Sequence, residues 1–404
     1  MPYYVIITFI HTNFYDYKVV FFNLLGSLFS RMCVASGRRT VTTAAAKEIQ
    51  DTKIPSFRSM ESYPPEHDTN DLNQIYTVPE TITNLLIPGV PDEMKKQIKI
   101  FNEFGILIRK PAIELISFLE QTDYTKCINK YVLYGKLGVG KTITLLHLVH
   151  YGFVKNFVIV YLPWVANWFR FPKKVAQSVL NPNQLDLPED VAKWLKFFKC
   201  LNEMTLSQLD LKVSKEYTWS QRESTKCGDS LFSLIDFGIQ RTKFASGVLC
   251  ALLDEIKMAS TSGKCKTLVV IDGFNAFTSE RTLVRDDNRV YATPERISIT
   301  SAFFDIVNYN WCNGAVILTV DTRANKEKKE SIYPTYLLGK KGFEHLDPFL
   351  PICVENYSTE EFETILKYYQ DRKWIREISS QGQKEWEILC NKNPREVWNF
   401  SKPL

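Results

Sequence analysis

The chain has 404 residues, 45% hydrophobic and 24% charged, with a formal net charge of +5. This is an ordinary globular composition with room for two or three domains, and its mild positive balance permits contact with RNA or acidic partners without requiring it. Nine scattered cysteines with no C-x-x-C argue against a disulfide framework or a zinc site and read as free thiols in a reducing compartment; five histidines argue against a histidine-rich metal site, and no apolar run reaches the roughly 18 residues that span a membrane.

Asp16 is the only acid among the first 46 residues, whereas Lys18, Arg31, Arg38 and Arg39 are basic and Ser and Thr recur. Val19, Val20, Phe22, Leu24, Leu25 and Phe29 could line a helix. This acid-poor, basic pattern is expected of a mitochondrial transit peptide over residues 1–46. Two short apolar stretches, near Val5–Ile10 and Val19–Phe29, also suggest a secretory signal, against which the free cysteines argue. A start at Met32 is a third reading, and mitochondrial import is the favoured one. Residues 47–88 are polar and carry Pro55, Pro64, Pro65 and Pro79, which predicts an extended N-terminal arm. A globular pattern begins near Val90. Pro91-Asp92-Glu93 opens one helix, and Pro111 opens another that ends near Asp123.

The next stretch, Tyr131 to Thr142, reads YVLYGKLGVGKT. Gly135, Gly140, Lys141 and Thr142 fit the phosphate-loop pattern G-x-x-x-x-G-K-[ST] between an apolar strand and a helix that continues through Tyr151. Such a loop curls so that successive N–H groups form an anion-binding nest at a helix N-terminus. Residues Gly135, Lys136, Leu137, Gly138, Val139, Gly140, Lys141 and Thr142 are therefore expected to hold a nucleoside triphosphate. Lys141 would reach its β- and γ-phosphates, and the Thr142 hydroxyl would sit on Mg²⁺. His147 and His150 lie one turn apart in the following helix and read as packing or exposed residues rather than metal ligands.

Val158–Leu162 reads as a second buried strand closed by Pro163. Trp164 and Trp168 follow, with packing favoured over base stacking. Pro188-Glu189-Asp190 starts a helix whose apolar face is Val191, Trp194, Leu195, Phe198 and Leu201. Leu231 to about Lys257 reads as helical. Thr267–Ile271 followed by Asp272 is a Walker B pattern, in which the aspartate serves the Mg²⁺ shell opposite Thr142. Gly273 stands where many ATPases carry a water-activating glutamate, which predicts slow hydrolysis or none and leaves the catalytic group unknown. Pro294 is expected to start a helix through Tyr309. Strand Ala315–Val320 ends at Thr319 and Asp321, candidate sensors of the γ-phosphate, or an ordinary strand terminus. A fifth strand runs from Ile352 to Val354. Ser358 and Glu361 then form a capping box that opens a helical tail.

Alternating strands and helices predict an α/β domain with a mostly parallel sheet over residues 89–357 and a helical C-terminal region over 358–404. The motif order resembles the AAA-like branch of phosphate-loop NTPases. The long interval between Lys141 and Asp272 requires helical insertions. By analogy with that branch, Arg109 and Lys110 are candidates to line the base pocket.

Three blocks are more specific. The run RKPAIELISFLEQTDYTKCINKYVLYGKLGVGKT, the segment Lys215 to Thr225, and the block LLGKKGFEHLDPFLPICVENYSTEEFETILKYY resemble, in the same order and at similar spacing, the mitochondrial small-subunit ribosomal protein family also called death-associated protein 3. The resemblance covers about Phe104 to Leu404. It implies a mitochondrial matrix protein in the head of the small ribosomal subunit near the subunit interface. The partners it implies are small-subunit rRNA and ribosomal proteins, with large-subunit proteins across the interface. It also implies a bound GTP or GDP with Mg²⁺ at Gly135, Gly138, Gly140, Lys141, Thr142 and Asp272, and a link to apoptosis. Guanine is implied by the resemblance alone, because Asn391-Lys392-Asn393-Pro394 lacks the aspartate of the N-K-x-D guanine motif. A free AAA-like ATPase or signalling NTPase is the competing reading.

Overall fold

A computed structural model describes residues 55–325 and 330–402. The expected import segment, residues 1–46, and the start of the arm lie outside the described residues. After a single 3₁₀ turn at Pro64–Glu66 come strand β1 (Ile75–Val78), helix α1 (Glu80–Leu86), helix α2 (Asp92–Phe101) and strand β2 (Phe104–Leu107). The two strands pair antiparallel, with Ile75 opposite Leu107. Residues 75–88, read from the sequence as the end of an extended arm, are thus strand and helix. Tyr76, Val78 and Leu86 carry them into the core. So few apolar positions between prolines give no resolvable period, and only the partner strand reveals them.

Helix α3 (Lys110–Gln121) leads into the main sheet, built from β3 (Asn129–Tyr134), β4 (Val158–Leu162), β5 (Thr267–Ile271), β6 (Gly314–Thr319) and β7 (Leu350–Cys353). All pairings are parallel and the order is β7-β3-β6-β5-β4. A parallel sheet is covered on both faces, so β4, β5 and β6 read as unbroken apolar runs without alternation. Insertion of β6 between the phosphate-loop strand and the Asp272 strand is the arrangement of the AAA-like fold. It places the C-terminal ends of β3, β5 and β6 side by side at one edge, where ligands of open α/β sheets bind.

Helix α4 (Lys141–Val154) follows the phosphate loop, and the short α5 (Ala166–Arg170) follows β4. The interval before β5 holds α6 (Pro188–Leu209), α7 (Leu231–Gln240) and α8 (Ala245–Thr261). The stretch expected as one helix from Leu231 is two. Arg241 leaves the helical region, and a 3₁₀ turn at Thr242–Phe244 reverses the chain. Gly238 lets these helices approach closely: a Cβ there would lie 2.7 Å from both Leu195 and Val248 side chains. The helix expected from Pro294 is likewise a 3₁₀ turn, Pro294–Arg296, followed by α9 (Ser298–Ile306). Helix α10 (Pro334–Leu346) precedes β7.

The C-terminal region comprises α11 (Thr359–Asp371), α12 (Ser380–Cys390) and α13 (Pro394–Ser401). The capping box forms as expected, with Ser358 accepting from the Glu361 N–H and Glu361 accepting from the Ser358 N–H. Phe362, Tyr368, Tyr369 and Trp398 pack with Ile75, Phe101 and Leu107 into a second apolar cluster. The tail is therefore joined to β1 and β2 and closes over the phosphate-loop edge. No helix among the described residues is long and apolar enough to cross a membrane.

Candidate nucleotide site

The loop between β3 and α4 owes its path to three glycines with positive φ: Gly135 at 150°, Gly138 at 82° and Gly140 at 98°. Gly135 is also sterically fixed, since a Cβ would lie 2.1 Å from the Val354 carbonyl oxygen. Successive loop carbonyls are each engaged. Gly135 O and Lys136 O accept from Lys141 Nζ at 2.9 and 3.0 Å. Leu137 O accepts from Asn393 Nδ2 at 2.9 Å, Gly138 O from the Arg395 N–H at 3.1 Å, and Val139 O from Arg109 Nη1 at 2.7 Å. The carbonyls of Leu137, Gly138 and Val139 are thus held from outside the loop while those of Gly135 and Lys136 close on Lys141, the curled path that an anion nest requires.

Lys141 is 5% exposed and spends its third proton on Asp321, with Nζ to Oδ2 at 2.8 Å. Thr142 donates to Asp272 Oδ2 at 2.7 Å, and Thr319 donates to the other oxygen of Asp272. This follows from register: Leu318 lies opposite Ile271, so the residues that follow them meet at the sheet edge. Burial pushes the Asp272 carboxyl above its ordinary range; hydroxyls of Thr319 and Thr142 pull it back, and Asp321 adds to the rise. Two buried carboxylates beside one lysine and a threonine hydroxyl form an oxygen-rich set suited to a hard divalent cation. Phosphates would draw Lys141 from Asp321 and leave both carboxylates facing the cation shell. The residues present therefore fit a nucleotide with Mg²⁺.

Gly273 has φ 77°, and a Cβ there would lie 3.1 Å from the Trp164 ring. A glutamate at this position would meet both left-handed backbone and an aromatic wall, so the missing carboxylate is built into the local geometry. Asn275 in the following turn takes the Asp321 backbone from both sides, donating to its carbonyl and accepting from its N–H, each at 3.0 Å. Nothing in the sequence pattern marked Asn275, because its role depends on a strand 46 residues away.

The loop borders a cleft of about 960 Å³. Val90, Met94, Ile106, Trp164, Trp168, Ile365, Tyr369 and Trp398 give it apolar walls. Trp164 and Trp168 are thus cleft-lining. Arg109 also borders the cleft, but its guanidinium is committed elsewhere. Besides Val139 O, it forms a fork with Glu361 at 2.9 and 3.0 Å, donates to Glu355 O, and lies over the Tyr357 ring. It clamps the phosphate loop to the start of α11. Lys110, the other base-pocket candidate, is exposed at the first turn of α3 and does not line the cleft. Asn393 belongs to the stretch that failed as a guanine motif. Its side chain caps α13, accepting from the Arg395 and Glu396 N–H groups, while holding Leu137 of the phosphate loop.

The family model described as "Mitochondrial ribosomal death-associated protein 3" matches residues 106–399. The chain belongs to that family. This death-associated protein 3 family member is 36% identical over 355 residues to "Small ribosomal subunit protein mS29" of Bos taurus, covering 85% of this chain and 89% of the bovine one. The Mus musculus protein of the same name is 34% identical over 364 residues, covering 87% and 92%. Among solved structures, a DNA replication initiation factor aligns at 11% identity and TM-score 0.33, covering 77% of this chain and 60% of that one. The Aeropyrum pernix ORC2 protein (ADP form) aligns at 13% and 0.36, covering 75% and 64%. These superpositions are loose, and the fold is read from the sheet order itself. Family membership makes the chain a mitochondrial ribosomal protein.

Proposed function

We propose that this protein is a structural component of the small subunit of the mitochondrial ribosome that binds a nucleotide with Mg²⁺ as a fixed ligand. The observation that carries the nucleotide is the phosphate loop, with the carbonyls of Leu137, Gly138 and Val139 held from outside it and those of Gly135 and Lys136 closed on a buried Lys141. Gly273 supports a structural ligand over a turned-over substrate, since it stands where a water-activating carboxylate would and a side chain there would meet left-handed backbone and a tight contact with Trp164. Guanine, as GTP or GDP, is the base that the family suggests, and the matrix is the compartment that goes with a mitochondrial ribosome. Docking in the head near the subunit interface brings rRNA, small-subunit proteins and large-subunit proteins within reach. The apoptosis link stands on the family alone.

Two measurements test this. Tagged full-length protein from mitochondria should cosediment with small subunits, and nucleotide released from the purified protein should be a guanosine phosphate. Sedimentation as a free protein would sink the ribosomal assignment. Protein that releases no nucleotide and binds none would sink the ligand. Turnover of several per second would replace this reading with a free NTPase.

A further inference from the structure

Two thiols face each other at the edge of the sheet remote from the phosphate loop. Cys127 stands two residues before β3, and Cys312 two residues before β6. The segments that carry them meet in an antiparallel bridge with Cys127 opposite Cys312. The Ile128 N–H donates to the Trp311 carbonyl at 3.2 Å. A bond from the residue after one partner to the residue before the other marks a non-hydrogen-bonded pair. In such a pair the Cα atoms lie about 4.5 Å apart and the two side chains leave the same face. A disulfide spans Cα separations of roughly 4.4–6.8 Å. The backbone is held around the pair. The Asn313 N–H donates to the Tyr124 carbonyl at 2.9 Å, its carbonyl accepts from Ser260 Oγ at 2.9 Å, and its side-chain amide donates to Cys265 O at 2.7 Å. Both thiols are free, Cys127 exposed and Cys312 half-buried. Cys312 Sγ has only a weak contact, 3.8 Å from the Thr261 carbonyl, which a side-chain rotation releases. Cys265, the next thiol along, is buried with its sulfur beside Thr267 Oγ1 at 3.7 Å. Among the described residues no other strand pairing or bridge sets two cysteines opposite each other.

We propose that Cys127 and Cys312 are a reversible thiol modification site, closed into a cross-strand disulfide by a low-molecular-weight disulfide such as oxidised glutathione. The exposed Cys127 thiolate attacks one sulfur of the small disulfide, forming a mixed disulfide and expelling one small thiolate. Cys312, after giving up its proton, attacks the Cys127 sulfur and expels the second. Two protein thiols are oxidised, one small disulfide is reduced to two thiols, and these take up the two protons. Exposed disulfides are the readily reduced ones, so thiols reverse the step. The bond would staple the N-terminal ends of β3 and β6, which are already neighbours in the sheet with Ala315 opposite Asn129. It closes a loop that includes the phosphate loop and the Asp272 strand, and long loops gain most from a cross-link. Thr319 and Asp321 stand at the other end of β6, so oxidation stiffens the sheet without entering the nucleotide site.

The test treats full-length protein with oxidised glutathione, blocks the remaining thiols with iodoacetamide, and maps peptides by mass spectrometry without reductant. A peptide pair joined through Cys127 and Cys312 is expected, and dithiothreitol should separate it. In Cys312→Ser the pair should be absent and Cys127 should keep a glutathione adduct. The wild-type map needs no variant to fold. Oxidised wild-type protein should melt about 5 °C above the reduced protein, a rise that Cys312→Ser lacks. Recovery of Cys127 and Cys312 as separate iodoacetamide or glutathione adducts overturns the proposal, and so does a mixture of links to other cysteines. A Cys127–Cys312 link with no rise in melting temperature overturns the staple.

Discussion

Lys141 and Asp321 face each other with side chains 5% and 9% exposed, so neither charge has water to fall back on. Removing one partner of such a pair costs about 3–5 kcal/mol, because the other is left buried and unpaired. Lys141→Ala should therefore lower the melting temperature of the nucleotide-free protein as well as abolish phosphate binding. Lys141→Met combined with Asp321→Leu should recover stability but not binding. Thermal unfolding with and without GDP and Mg²⁺ separates the two effects, and an unchanged melting temperature in Lys141→Ala would show the ion pair to be unimportant. Gly273 gives a second prediction. Gly273→Glu places a side chain at φ 77° and within 3.1 Å of Trp164. The left-handed backbone alone costs roughly 1–2 kcal/mol. The variant should lose stability without gaining hydrolysis; phosphate release rising above the wild-type rate would contradict this reading of Gly273.

Among the elements, α11 is tied to the phosphate loop chiefly through Arg109. Its fork to Glu361 joins two side chains that are 10% and 9% exposed, and Glu361 is also the closing member of the helix's capping box. Arg109→Met should leave the Glu361 carboxylate buried with its cap contacts only. A loss of about 3 kcal/mol in urea unfolding is expected. Nucleotide affinity should fall too, because Val139 O loses its outward partner and the loop its fixed curl. Glu361→Gln keeps a cap acceptor and should be milder. An unchanged unfolding midpoint in Arg109→Met would show that the cap, not the clamp, secures α11. Arg109 was visible in the sequence only as a charge upstream of a glycine-rich loop. Its partner lies 252 residues away, and no periodicity connects them.

At the scale of the whole molecule, stability should depend on pH through the buried histidines. His67, His147 and His150 all have lowered pKa values, chiefly from burial, with His150 at about 4. In the unfolded chain each protonates near 6.5. Below that pH the unfolded state binds more protons than the folded one, so stability falls as pH drops from about 6.5 towards 4. Each fully linked histidine adds a slope of roughly 1.4 kcal/mol per pH unit. Urea midpoints at pH 7.5, 6.5 and 5.5 should decline in that order, and His150→Phe should flatten the decline. A constant midpoint across this range would mean that the histidines protonate in place.

What the sequence determined by itself was what depends on covalent spacing. The phosphate loop, the Asp272 strand, the capping box at Ser358 and Glu361, and the unbroken apolar runs of a two-sided sheet are all local patterns, written in consecutive residues. The three specific blocks carried the family for the same reason. Tertiary structure decided what depends on approach between distant segments. It put β6 between β3 and β5, and so brought Thr319 to Asp272 and Asp321 to Lys141. It turned Arg109 from a base-pocket candidate into a clamp on Glu361, and it laid Asn393 over Leu137. It folded residues 75–88, expected as an extended arm, into β1 and α1, and it brought His67 to His147. Such pairings are selected by burial: a charge, an imidazole or a loop carbonyl taken out of water must find a partner, and only the packed chain determines which one it meets.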